Sequence, residues 1–127
     1  MLPARHRLRR SGDFATALST GLRSARRTLV VHLVPPLCDS SEPAVTRVGL
    51  VVGRGVGNSV VRHRVSRRLR ALLSVRIETL DAGSTVVVRA FPAAADASSD
   101  VLGSDLDAAL QRACRRAERA GPEPGRH

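Results

Sequence analysis

Apolar residues recur along this chain at helical spacing in three stretches and gather into short continuous runs between them, and so divide it into helices and strands. From Val61 onward they fall at Val65, Leu69, Leu72 and Leu73, one face of a helix. Gly53, Gly55 and Gly57 separate this helix from a strand over 47–52, and Asn58 or Ser59 offers an N-capping oxygen. The helix is expected to reach about Leu80, where Asp81-Ala82-Gly83-Ser84 ends it. An earlier helix is expected from Gly12 to about Thr20, capped by Ser11, stopped by Gly21, and carrying Phe14, Ala17 and Leu18 on one face. A last helix starts at Ser98 or Ser99 and reaches about Ala120, with Leu102, Leu106, Ala109, Leu110 and Ala113 as its apolar stripe.

The β-branched run 28–34, led in by Arg23, Arg26 and Arg27, reads as a first strand. The run 85–90 is almost wholly apolar and belongs in a sheet interior. Prolines and short polar residues make 35–44 a loop, 93–97 crosses over to the last helix, and 121–127 is expected to be a disordered tail. Helix, strands, helix, strand, helix adds to an α/β (α+β) two-layer sandwich, a small sheet with helices packed on it. At 127 residues the chain is one domain, here residues 1–120 with a basic N-terminal arm. Its only aromatics are Phe14 and Phe91, so the core must be aliphatic.

Charge changes this picture. The net charge is +10, all from Arg with no Lys. Residues 1–76 hold fifteen Arg against Asp13, Asp39 and Glu42, a net of +12, whereas 77–127 hold six Arg against eight acids, a net of −2. The central helix gathers Arg62, His63, Arg64, Arg67, Arg68 and Arg70, with no carboxylate between Asn58 and Arg76. Arg62 and Arg64 fall in its first turns, where the helix dipole disfavours cations. Such a helix repels itself unless a polyanion supplies the missing charge, and phosphates gripped by arginine forks are the obvious source. A solvated face, Arg-rich only through genome composition, is the plain alternative. The last helix orders its charges the other way, Asp100, Asp105 and Asp107 early and Arg112, Arg115, Arg116 and Arg119 late, so its dipole explains them without a ligand. One-sided positive charge on a small domain points to nucleic acid.

Other classes fit poorly. There is no long apolar span, no signal-peptide core and no basic helix with an aromatic face, so a cytoplasmic protein is expected rather than one acting at a membrane. Cys38 and Cys114 are far apart and expected as thiols. His6, His32, His63 and His127 lack metal-ligand spacing, and Asp105 and Asp107, two apart, point different ways, so no catalytic or metal site of the protein's own is expected. Gly53-Arg54-Gly55-Val56-Gly57 lacks the Lys-Ser/Thr of a phosphate-binding loop. A helix-turn-helix needs a helix where this chain has a strand and a Gly-rich turn.

These residues carry a resemblance. VGNSVVRHRVSRRLR is similar to the signature of the bacterial ribonuclease P protein family, in which an Arg-Asn-Arg lies within a basic helix after a strand and a Gly-Asn turn. RLRRSGDFATALSTG resembles the family's arm and first helix, RVGLVVGRGVGN its strand and turn, and TVVVRAFPAA its later strand, so the likeness covers most of the chain. It implies a mixed sheet with a left-handed βαβ crossover, which general chain topology would argue against. It also implies a ribonucleoprotein that removes the 5′ leader from precursor tRNA. There the RNA subunit is the catalyst, with Mg²⁺ held mainly by that RNA, and no protein partner is required. By position, Arg54, Asn58, Arg62, His63, Arg64, Arg67, Arg68 and Arg70 become the contact with ribonuclease P RNA. Phe14, Leu18 and His32 become a cleft for the precursor tRNA leader. The chain departs from the family pattern at His63, commonly Asn, and at Ser66, commonly Lys. Leu18 and His32 stand where relatives look aromatic, so weaker leader stacking is expected. Taken without the resemblance, a single Phe on an amphipathic helix is more often core, and a strand residue such as His32 can simply face water. A ribosomal or assembly module using the same basic helix, and a self-sufficient nuclease, are the rival functions.

Overall fold

The computed structural model describes residues 22–34, 46–80 and 83–120. The helix expected over 12–20, with Phe14 and Leu18, the loop over 35–44 with Cys38, and the tail over 121–127 lie outside the described residues.

Four strands form one mixed sheet: β1 (Leu22–Ala25), β2 (Leu29–Val34), β3 (Arg47–Val51) and β4 (Thr85–Ala90), in the order β1-β2-β4-β3. β1 pairs antiparallel with β2, β2 antiparallel with β4, and β3 parallel with β4. A parallel pair needs a long crossover, and helix α1 (Ser59–Ser74) supplies it between β3 and β4. Helix α2 (Ser99–Ala120) follows β4 and packs on β1 and β2. β4 lies between two neighbours, as its almost wholly apolar run predicts.

The pleat sorts the sheet residues into two faces. Leu29, Val31 and Leu33 of β2, Val48 of β3, and Val86, Val88 and Ala90 of β4 bury one face. Against it lie Val65, Leu69 and Leu73 of α1, and all five apolar residues expected of α2: Leu102, Leu106, Ala109, Leu110 and Ala113. The other face carries Val30, His32, Val34, Val51, Val87 and Arg89, with Arg23 beside His32 in register.

Two expectations are corrected. Residues 22–25 are a strand rather than a lead-in, and β2 begins at Leu29. With Leu22 and Ser24 on the core face and Arg23 and Ala25 on the other, β1 is a short charged edge strand, too brief to declare itself by alternation. The central helix stops at Ser74 instead of near Leu80. Arg76 bonds back to the Leu73 carbonyl through its N–H and to the Leu72 carbonyl through Nη1, and the chain tightens into a 3₁₀ turn over Ile77–Thr79. The crossover to α2 runs where expected, as a 3₁₀ turn over Pro92–Asp96 opened by its proline.

The β1–β2 turn is tied to distant chain. Thr28 accepts from the Phe91 N–H at 2.8 Å and donates its own N–H and hydroxyl to Asp105. Arg116 donates to the Arg23 carbonyl. Asp105 and Asp107 do point different ways, Asp107 pairing with Arg76 at the far end of α1.

Candidate nucleic-acid interface

The basic surface starts from a turn that only glycine fits. Gly57 sits at φ +156°, and a Cβ there would come within 2.9 Å of Val61 Cγ1. The close approach lets Asn58, not Ser59, cap α1, its Oδ1 accepting the Val61 N–H at 3.0 Å. Asn58 therefore has a structural task whatever else its exposed amide does. No acidic residue stands in the first turn of α1.

Around this frame Arg54, Asn58, His63 and Arg67 are exposed, while Arg62, Arg64, Arg68 and Arg70 are half-buried. Two of these arginines are pinned. Arg64 donates from Nη2 to the Ala95 carbonyl at 3.2 Å, and Arg68 from Nη1 to the Ala97 carbonyl at 2.9 Å. The turn after β4 thus fixes where two guanidiniums lie without neutralising either. Their partners could not be read from sequence, because a backbone carbonyl has no residue code. The Nε–H groups of Arg62 and Arg64 are shielded from water and have no acceptor.

Among the described residues only two ion pairs form, Arg26 with Asp105 at 3.9 Å and Arg76 with Asp107 at 2.6 Å. Neither touches the eight residues expected to contact RNA. The Arg76 guanidinium, bonded through Nε and Nη2, holds the Asp107 carboxyl below its usual range against a smaller opposing effect of burial. Arg76 therefore ends the uncompensated charge of α1.

Two grooves flank Arg64 and Arg67. One, about 440 Å³, is lined by Ser59, Val60 and His63 as well. The other, about 460 Å³, runs on past Arg68, Ala71, Leu72 and Val75 to Ser99 at the start of α2.

His32 does not face water: it is 7% exposed on the sheet face away from α1 and α2, and its Nδ1 has no partner. Burial holds its pKa below the usual value, reinforced by the charges of Arg23 and then Arg89. Sequence reading passed over these two arginines, although Arg89 alternating within an apolar strand was a signal that one position faces away from the core.

Among the described residues no group of three or more His, Cys, Asp and Glu side chains gathers. No helix among them is long and apolar enough to cross a membrane.

The sequence model of a family described as Ribonuclease P matches residues 2–114. The chain is 52% identical over 118 residues to the ribonuclease P protein component of Mycobacterium sp. (strain KMS), covering 93% of this chain and 98% of that protein. It is 52% identical over 116 residues to that of Streptomyces avermitilis, covering 88% and 94%. The structure is similar to a Staphylococcus aureus RNase P protein mutant with defective mRNA degradation activity, with TM-score 0.72 at 26% identity over 85% of this chain and 87% of that one. The Thermotoga maritima RNase P protein in complex with 1-(4-fluorophenyl)-2-thiourea shares the fold, with TM-score 0.69 at 20% identity over 83% and 97%.

Proposed function

The chain belongs to the ribonuclease P protein family, whose members are subunits of the tRNA 5′-processing ribonucleoprotein, and from that premise we propose how its two surfaces divide the work. The α1 surface, Arg54, Asn58, Arg62, His63, Arg64, Arg67, Arg68 and Arg70, grips phosphates of ribonuclease P RNA. The observation that carries this is a helix whose arginines meet no carboxylate among the described residues, two of them aimed by backbone carbonyls. A charged face arranged for solvent alone has no need of such pins. The ribosomal or assembly reading is set aside by the family match, which spans nearly the whole domain.

The second sheet face, with His32, serves the precursor tRNA leader together with Phe14 and Leu18. Holding both RNAs on one small body favours precursor over mature tRNA, which has no leader to bind. Screening their mutual repulsion lowers the demand for Mg²⁺. The RNA subunit carries the catalysis and holds the ion; the protein's residues bind and orient RNA and transfer no proton. The compartment is the cytoplasm, where the RNA partner and precursor tRNA are made.

One assay tests this: precursor tRNA cleavage at low Mg²⁺ with protein alone, with bacterial ribonuclease P RNA alone, and with both. Activity in the mixture only is expected. Cleavage by the protein alone would refute the division of labour. Replacing Phe14 with Ala is expected to narrow the preference for precursor over mature tRNA, with the fold intact by circular dichroism.

A further inference from the structure

The groove between α1 and the start of α2 has a composition that phosphate binding does not explain. Arg67 and Arg68 stand along it, but Ala71, Leu72 and Val75 line it too, and Val75 is 73% exposed. A guanidinium needs no apolar neighbour to hold a phosphate, and an apolar side chain gains nothing from one. The helices meet tightly at Gly103, where a Cβ would lie 3.3 Å from Leu72 and 3.4 Å from Arg76. One turn earlier on α2, Ser99 borders the opening. At about 460 Å³ the space is that of a small-ligand cleft, commonly ~300–1,000 Å³.

We propose that this groove receives one unpaired nucleotide of the RNA partner, its base lying on Ala71, Leu72 and Val75 and its phosphate held by Arg67 and Arg68. Every base has an apolar face and every nucleotide an anion beside it, and this juxtaposition matches both. An apolar side chain of a protein flanked by acids is the other occupant of that chemistry. Continuity favours RNA: Arg64 and Arg67 line this groove and the neighbouring one alike, so it opens directly onto the α1 face assigned to RNA phosphates. The inference rests on the RNA-gripping role of α1 and adds a base contact to it.

The two contacts respond differently to salt. Phosphate contacts release counterions and set the slope of affinity against salt, whereas apolar contacts with a base do not. Val75→Ser keeps the charge and removes apolar area at an exposed position, so circular dichroism is expected to be unchanged. Its affinity for a bacterial ribonuclease P RNA transcript is expected to fall roughly three- to tenfold at every salt concentration, with the slope unchanged. At saturating protein, dimethyl sulfate together with a carbodiimide that reads uracil and guanine is expected to show one unpaired base protected by the natural protein and reactive again with Val75→Ser. Unchanged affinity, or a footprint that Val75→Ser leaves as it was, would overturn the proposal. Arg67→Ala, measured in parallel, keeps the two ideas apart: an unaltered salt slope there would overturn the phosphate grip itself.

Discussion

Asp105 accepts two hydrogen bonds from Thr28, the backbone N–H at 3.2 Å and the hydroxyl at 2.6 Å, across 77 residues of chain. With its side chain 15% exposed, one carboxylate fastens α2 to the β1–β2 turn. Hydrogen bonds to charged groups are worth about 1.5–3 kcal/mol when little solvated. Asp105→Ala is therefore expected to lower stability by ~1.5–3 kcal/mol, read as a shifted urea midpoint at constant m. Adding Thr28→Val should cost less than the sum of the two single changes, because the partner is already gone. Full additivity would show that the hydroxyl–carboxylate bond contributes nothing.

Arg67 and Arg68 are neighbours with different duties. Arg67 is exposed, whereas Arg68 bonds the Ala97 carbonyl at 2.9 Å. Arg67→Ala should leave stability within ~0.5 kcal/mol and reduce the salt slope of RNA binding by about one. Arg68→Ala should weaken RNA binding and also lower stability by ~1 kcal/mol, since the turn loses its link to α1. Thermal unfolding and salt titration of both variants separate an arginine that only meets RNA from one that also holds the surface together.

Two glycines in the turn before α1 make a matched test of backbone need. At Gly53 φ is −86° and a Cβ would meet nothing within 4 Å. At Gly57 φ is +156° and the Cβ would strike Val61. Gly53→Ala is expected to be neutral or stabilising by up to ~1 kcal/mol, through a less disordered unfolded chain. Gly57→Ala should destabilise by ~1–3 kcal/mol and weaken RNA affinity, because the strain displaces the first turn of α1. Denaturation and RNA titration of the two variants check the contrast.

Much of this was legible in the residues because one physical rule dominated each element. The α2 stripe, the interior β4 and the apolar face of α1 follow from burial at a fixed period, and all are seen in the core. The missing carboxylates of α1 are a fact of sequence that the fold keeps. What escaped was decided by tertiary partners. β1 has four residues and exists because β2 pairs with it. The end of α1 is set by Arg76 turning back on the last carbonyls. The pinning of Arg64 and Arg68 depends on carbonyls some thirty residues away, 31 and 29 positions on. His32 illustrates the same limit: sequence left open whether it lined the leader cleft or simply faced water, and only the fold shows it 7% exposed beside Arg23 and Arg89.

That buried imidazole makes stability depend on pH in a definite direction. Its folded-state pKa lies below the ordinary value of 6.5, chiefly through burial and then through Arg23 and Arg89. As pH falls through about 6.5 the unfolded chain takes up a proton that the folded chain refuses, so stability rises with pH in that window. The contribution is complete above the unfolded pKa and is lost progressively toward the lower folded one. His32→Phe, uncharged and able to fill the site, is expected to flatten the stability profile below about pH 6.5, measured by urea unfolding at closely spaced pH. Arg89→Gln should move the imidazole pKa upward by removing one of the two opposing charges, visible in the NMR titration of the ring protons. If a leader phosphate comes to this face, its negative charge acts against both arginines. The same titration in the presence of a short single-stranded RNA is then expected to show the His32 pKa raised, and no movement would place the leader elsewhere.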